Sequence, residues 1–143
     1  MRTAIALTLA LAAAPALAQD PTGDAAAGEA AFRQCQSCHV VQDAEGNTLA
    51  GRNGRTGPNL YGIAGRTAGA VEDFRYSDLM EEAEEAGLVW NEETFAAYVQ
   101  DPTTYLREAT GENGGRSNMT FKVRKPEDAV NLWAYLVSLA PAE

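Results

Sequence analysis

Five consecutive residues constrain this chain more than any other feature of its sequence. Cys35-Gln36-Ser37-Cys38-His39 contains both cysteines and the only histidine of the 143 residues. At the spacing C-x-x-C-H, two thiols can add to the vinyl groups of a haem while the adjacent imidazole binds the iron. The run therefore predicts one covalent haem c, attached through Cys35 and Cys38, with His39 as an axial iron ligand.

Other interpretations of this run remain as alternatives. A structural zinc site needs four ligands, whereas the chain has only three Cys and His residues in total. A thioredoxin-like C-x-x-C motif is expected in a βαβ setting, but an alanine-rich helical pattern precedes Cys35. A plain disulfide between the two cysteines would leave His39 without a role.

The N-terminal residues match a secretory signal peptide. A basic start is followed by an apolar run over residues 4–14 and by small residues up to Ala18. The run is too short to be a permanent membrane anchor. We therefore predict cleavage after Ala18 and a soluble, monomeric product of one domain, residues 19–143. Because covalent haem attachment in bacteria takes place outside the cytoplasm, a haem motif fits export to the periplasm.

The charges are unevenly distributed. Loss of Arg2 with the leader leaves 10 Lys and Arg (11 minus 1) against 20 Asp and Glu, which argues against nucleic acid as a partner. Nine acidic residues lie between Glu72 and Glu93. If the basic loop-like stretches meet in space, they form a docking face for partner proteins; otherwise the arginines are scattered on an acidic surface. The candidate docking residues are Arg52, Arg55, Arg116, Lys122, Arg124 and Lys125.

The remaining pattern predicts an all-α domain with three main helices, shorter helices and long loops around the haem. Asp24 can cap a first helix over residues 25–35, and residues 40–69 are expected to form an irregular loop. A short acidic helix over residues 77–86 and a second helix over residues 92–100 should follow.

Three further features complete this prediction. A helical turn is expected at Tyr105 and Leu106, and the last helix should begin at Pro126. Gly28 has no side chain, so we expect the first helix to cross the last one there, against Trp133 or Tyr135.

Methionine is the remaining soft residue type that could bind the second axial position of the iron. Once the leader is removed, Met80 and Met119 are the candidates. Met80 lies among acids in a helix expected to be exposed, whereas Met119 lies at the apolar end of a loop. We therefore predict Met119, with an open, five-coordinate iron as the alternative. The run 56–60, Thr-Gly-Pro-Asn-Leu, could place a backbone carbonyl at the other nitrogen of His39.

These motifs together make the chain similar to the class I c-type cytochromes, in particular the bacterial cytochrome c2 type. The resemblance covers nearly all of residues 19–143. Besides the haem motif, it is carried by ordered matches that include Gly51-Arg52-Asn53, Thr56-Gly57-Pro58-Asn59-Leu60-Tyr61-Gly62, Phe74-Arg75-Tyr76-Ser77, Gly87-Leu88-Val89-Trp90, Tyr98-Val99-Gln100-Asp101-Pro102, Met119-Thr120-Phe121-Lys122 and Leu132-Trp133-Ala134-Tyr135-Leu136.

The resemblance implies further roles for individual residues. Pro58 would provide the carbonyl to His39, and Tyr98 would hydrogen-bond near the Met119 sulfur. Tyr76 and Trp90 would donate to a buried haem propionate, with Arg66 near that charge. The docking face of this family is typically rich in lysine, whereas here arginine supplies most of the positive charge, which changes the contact geometry.

A carrier function follows from this resemblance. It implies a one-electron carrier with no catalytic residues, which accepts electrons from a bc1-type complex and delivers them to a photosynthetic reaction centre or a terminal cytochrome oxidase. Photosynthesis and respiration are both compatible with these partners. The alternative is a small peroxidase-like haem enzyme with an open iron site.

Overall fold

The computed structural model describes residues 20–140, so the predicted leader lies outside the described residues. In this range the chain forms five helices and one two-stranded sheet, which confirms the predicted helical architecture. No helix in this range is long and apolar enough to cross a membrane. The elements are α1 (Ala25–Phe32), β1 (Val40–Gln42), β2 (Thr48–Gly51), α2 (Asp78–Glu85), α3 (Glu92–Gln100), α4 (Pro102–Thr110) and α5 (Pro126–Leu139).

The helices begin where polar side chains can satisfy the backbone N–H groups of the first turn. The Asp24 carboxylate accepts two such hydrogen bonds at the start of α1, and the Ser77 hydroxyl accepts one at the start of α2. Asn91 and Thr94 form a reciprocal capping box at α3. Pro126 occupies the first turn of α5. The predicted starts of α1, α3 and α5 are therefore confirmed, whereas α2 begins at Asp78, one residue after the predicted start, because Ser77 is its cap.

Other elements differ from the sequence prediction. Helix α1 ends at Phe32, three residues before the predicted end, because the chain turns there into the haem motif. Helix α4 has nine residues instead of a single turn; the Asp101 side chain caps it and Gly111 ends it in the left-handed conformation. Part of the predicted loop forms the antiparallel β1–β2 hairpin, with a register irregularity after Val41. These strands are too short to produce a clear alternating pattern.

The terminal helices α1 and α5 cross at Gly28, as predicted. A Cβ atom on Gly28 would lie 1.9 Å from the carbonyl oxygen of Asn131 and 2.8 Å from the Cβ of Tyr135. The ring of Phe32 packs on that of Tyr135, with centroids 5.7 Å apart. Tyr135 is therefore the aromatic residue at the crossing, whereas Trp133 packs on Phe95 of α3.

The expectation that Met80 is exposed was wrong. Met80 is only 7 % exposed and belongs to the hydrophobic core together with Leu79 and Ala83. Helix α2 is amphipathic, since its glutamates are exposed on the opposite face. With only three apolar positions in eight residues, the buried face was hidden by the acidic composition.

The Gly28 crossing leads to a stability prediction. We expect Gly28→Ala to lower the free energy of unfolding by about 1–3 kcal/mol, the usual cost of overpacking, because the added methyl meets backbone that cannot move aside alone. Urea unfolding of the purified protein measures the change. Gly114→Ala is the matched control, since a Cβ there meets no atom within 4 Å. Equal stability of the two variants would contradict the close crossing.

Candidate functional site

A largely apolar cavity of about 260 Å³ brings most of the predicted site residues together. Its wall combines the haem motif, the segment from Thr56 to Pro58, the segment from Ser117 to Phe121, and side chains from α2, α3 and α5. The sequence-predicted residues in this wall are Cys35, Cys38, His39, Pro58, Arg66, Tyr76, Trp90, Tyr98 and Met119. Segments as far apart in the sequence as Cys35 and Leu136 thus meet at one site.

His39 is held in a defined orientation. Its Nδ1 lies 2.8 Å from the carbonyl oxygen of Pro58. Because a carbonyl can only accept, Nδ1 carries the proton, and Nε2 keeps its lone pair for a metal. Burial lowers the pKa of His39, and the hydrogen bond to Pro58 opposes this only in part. The imidazole is therefore neutral at pH 7, as metal binding requires.

Gly57 makes room for this imidazole. A Cβ atom at Gly57 would lie 2.3 Å from Cε1 and 2.7 Å from Nε2 of His39. The backbone of residue 57 therefore covers the ring directly. The Gly57-Pro58 pair supports the imidazole in two ways, since the glycine permits the close approach and the proline provides the acceptor.

Cys35 and Cys38 are free, half-buried thiols in the cavity wall. Burial, followed by the nearby Cys38 sulfur, raises the pKa of Cys35 to about 11. With no group attached, Cys35 is therefore a neutral thiol at pH 7. Two thiols next to a neutral imidazole fit the attachment of a haem.

Both methionines of the described range line the cavity. Met80 reaches it from the regular helix α2, whereas Met119 belongs to the irregular segment between α4 and α5. The exposure argument against Met80 therefore fails.

Tyr98 contacts a residue that the sequence analysis missed. Its hydroxyl lies 3.1 Å from the Oγ of Ser117 in a buried environment. The same Ser117 oxygen accepts a hydrogen bond from the backbone N–H of Met119 at 3.1 Å. A serine two residues before a candidate ligand carries no distinctive sequence signal, since serine is common in loops.

Arg66 places a cation in the cavity wall. Its guanidinium donates to the carbonyls of Tyr61 at 2.9 Å and Asn59 at 3.1 Å. Burial lowers the pKa of Arg66, and within residues 20–140 it makes no ion pair with a carboxylate. A partly buried cation without an acidic partner suits an anionic group in the cavity, such as a haem propionate.

Two aromatic residues could serve the same anion. The Tyr76 hydroxyl accepts from the backbone N–H of Val71 at 3.3 Å, which leaves its own proton available as a donor. The ring of Trp90 packs against that of Tyr98 in a tilted arrangement, with centroids 5.0 Å apart. The indole N–H of Trp90 can act only as a hydrogen-bond donor. The polar residues of the cavity therefore fit the haem as well as the apolar ones do.

The predicted docking residues are exposed, and several of them adjoin residues of the cavity wall in the sequence. Thr56 and Phe121 line the cavity, and Phe121 is 42 % exposed. Arg55 directly precedes Thr56, and Lys122 directly follows Phe121. Both basic stretches therefore reach its rim. However, the Nζ of Lys122 is paired with the Asp101 carboxylate at 2.6 Å. The exposed residues are Arg52, Arg55, Arg116, Lys122, Arg124 and Lys125.

No protein-family model matches the chain, but individual relatives match strongly. The chain is 60 % identical to cytochrome c2 of Rhodovulum adriaticum over 124 residues, which cover 87 % of this chain and 98 % of that protein. It is 55 % identical to cytochrome c2 of Cereibacter sphaeroides over 138 residues, or 96 % and 94 % of the two chains. A crystal structure of cytochrome c2 from Rhodobacter sphaeroides aligns with a TM-score of 0.82 at 54 % identity, covering 85 % of this chain and 99 % of that one. The chain belongs to the cytochrome c2 family.

Membership in the cytochrome c2 family confirms three predictions. The fold is that of cytochrome c. The cofactor is one covalent, iron-containing haem c, which the two cysteines of the cavity fit. Cytochromes c2 are electron carriers and not enzymes, so the peroxidase-like alternative is set aside.

The contact between Gly57 and His39 can be tested. We expect Gly57→Ala to displace the imidazole and to lower the free energy of unfolding by about 1–3 kcal/mol, since the methyl would overlap the ring. Urea unfolding followed through the haem absorption bands measures the loss. Asn53→Ala, at an exposed residue outside the cavity wall, is the control. Similar unfolding midpoints for both variants would show that residue 57 does not confine the imidazole.

Proposed function

We propose that this member of the cytochrome c2 family is a soluble periplasmic one-electron carrier whose haem iron is bound by His39 and Met119. The observation that carries the proposal is the convergence of both thiols, a neutral His39 with an unprotonated Nε2, and Met119 on one apolar cavity. The haem supplies the redox chemistry, as its iron alternates between the ferrous and ferric states. If His39 and Met119 both bound the iron, no position on it would be left for a substrate.

The residues around the cavity have distinct proposed tasks. Cys35 and Cys38 hold the haem covalently, and the Pro58 carbonyl keeps His39 in its ligating tautomer. A methionine thioether favours ferrous iron and so raises the reduction potential. We propose that Tyr76, Trp90 and Arg66 stabilise a haem propionate. Tyr98 is proposed to form a hydrogen bond near the sulfur of Met119.

The proposed partners follow from family membership and the basic rim. We propose a bc1-type complex as donor and a photosynthetic reaction centre or a cytochrome oxidase as acceptor. The rim residues flank the wall of the haem cavity, so a partner that docks there is brought close to the haem. Opposite charges would steer a short-lived complex. A periplasmic location is consistent with the signal-like residues 1–18 and with covalent haem attachment.

The two methionines provide the decisive ligand test. We expect Met119→Ala to abolish the methionine-to-iron charge-transfer band of the ferric protein, because the thioether is lost. Met80→Ala is the matched control: it also truncates a methionine of the cavity wall, but it should keep the band. The control should lose about 2–5 kcal/mol of stability, as is usual for a buried methionine. Absorption spectroscopy of the purified ferric variants distinguishes the two.

Two outcomes would contradict this ligand assignment. A band that survives in Met119→Ala and disappears in Met80→Ala would place Met80 on the iron. A wild-type ferric protein without the band would indicate that neither thioether is a ligand.

The pairing of Lys122 with Asp101 predicts unequal contributions to docking. Arg124→Ala should slow association with an acidic partner more than Lys122→Ala does, because the Lys122 charge is already partly neutralised by Asp101. For the wild type, the association rate should fall several-fold as salt is raised from low to physiological ionic strength. Stopped-flow or flash-induced oxidation by isolated reaction centre or oxidase, over a salt series, measures both effects. Rates that do not change with ionic strength would refute docking through the basic rim.

A further inference from the structure

Apart from aromatic residues, Ser117 is the one buried polar side chain within residues 20–140, with an exposed fraction of 3 %. It lies in the wall of the haem cavity, two residues before Met119. A buried hydroxyl costs free energy unless it is hydrogen-bonded, and hydrophobic residues could fill the same volume. Its presence therefore calls for a reason beyond packing.

The contacts of Ser117 join three parts of the structure. Its Oγ lies 3.1 Å from the hydroxyl of Tyr98 on α3, and it accepts from the backbone N–H of Met119 at 3.1 Å. Its own backbone N–H donates to the Oγ1 of Thr103 on α4, also at 3.1 Å. Ser117 is therefore hydrogen-bonded to α3 and to α4. Through its Oγ it also restrains the backbone of Met119.

The segment just before Ser117 makes such a restraint necessary. Residues 111–116 are all exposed, and Gly111 and Gly115 adopt positive φ angles of 77° and 72°. The guanidinium of Arg107 holds this segment through the carbonyls of Gly114 and Gly115, at the surface. An exposed glycine-rich segment is costly to order. Ser117 is the first buried residue after this exposed segment. It is therefore the first position at which packing restricts the backbone.

We infer that Ser117 is a positioning residue that holds the Met119 backbone in place and so keeps the Met119 side chain in the cavity. This inference rests on the proposed function, in which Met119 is an iron ligand. The hydroxyl acts through the Met119 N–H on one side and through Tyr98 on the other. Without it, the segment around Met119 leaves the cavity wall more often, although the rest of the fold is intact.

Binding of free imidazole to the ferric protein reports this local opening. Imidazole can bind the iron only when Met119 has left it, so its apparent affinity scales with the fraction of molecules in the open state. We expect Ser117→Ala to bind imidazole about tenfold more tightly than the wild type, as loss of one buried hydrogen bond implies. Absorption titration of the purified ferric holoproteins measures the dissociation constants.

Three further variants make the titration specific. Ser138→Ala removes a serine hydroxyl that bonds to the carbonyl of Tyr135 on α5, away from the loop, and should leave the imidazole affinity unchanged. Gly28→Ala lowers global stability without touching the loop and should also leave it unchanged. Thr103→Val removes the acceptor of the Ser117 N–H and should tighten imidazole binding several-fold; it serves as the test if Ser117→Ala does not fold.

The outcomes separate this inference from the ligand assignment. If the wild type shows the methionine-to-iron band and Ser117→Ala binds imidazole with wild-type affinity, the role of Ser117 is refuted while Met119 stays a ligand. If Gly28→Ala tightens binding as much as Ser117→Ala does, the effect reflects global stability and the inference also fails. A wild type without the band would overturn both proposals.

Discussion

The close crossing of α1 and α5 is the contact on which the rest of the structure depends. Because Gly28 has no side chain, the two terminal helices approach until the backbone of Asn131 lies against that of α1. This contact brings α1 and α5 together, so that the haem motif, which follows α1, and Leu132 and Leu136 of α5 line the same cavity. Segments between α1 and α5 form the remaining walls of the cavity.

The closing segments are mainly irregular, and specific hydrogen bonds determine their conformation. On one side, Gly57 and Pro58 cover and orient the imidazole of His39. On the other side, Ser117 connects the segment of Met119 to α3 and α4. Arg66 holds its own segment through two backbone carbonyls while keeping its charge at the cavity. A few polar contacts thus fix irregular backbone segments around the cavity.

Features encoded by neighbouring residues were predictable from the sequence. The caps of α1, α2 and α3 and the start of α5 follow from side chains within three residues of the backbone groups they satisfy. Features that depend on distant residues were not predictable. The acidic composition of α2 concealed the burial of Met80, the β1–β2 hairpin was too short for an alternating pattern, and the pairing of Lys122 with Asp101 joins residues 21 positions apart.

The sequence by itself determined the chemistry of attachment, because two thiols and an imidazole within five residues must act together wherever the chain places them. It also determined family membership and the crossing of the terminal helices, since a glycine in an alanine-rich helix permits a contact that other residues block. Only the tertiary structure decided which methionines reach the cavity, which lysine is already paired and that Ser117 is buried beside Met119. These properties depend on burial and on distances between segments far apart in the chain, and no local pattern of residue types encodes them.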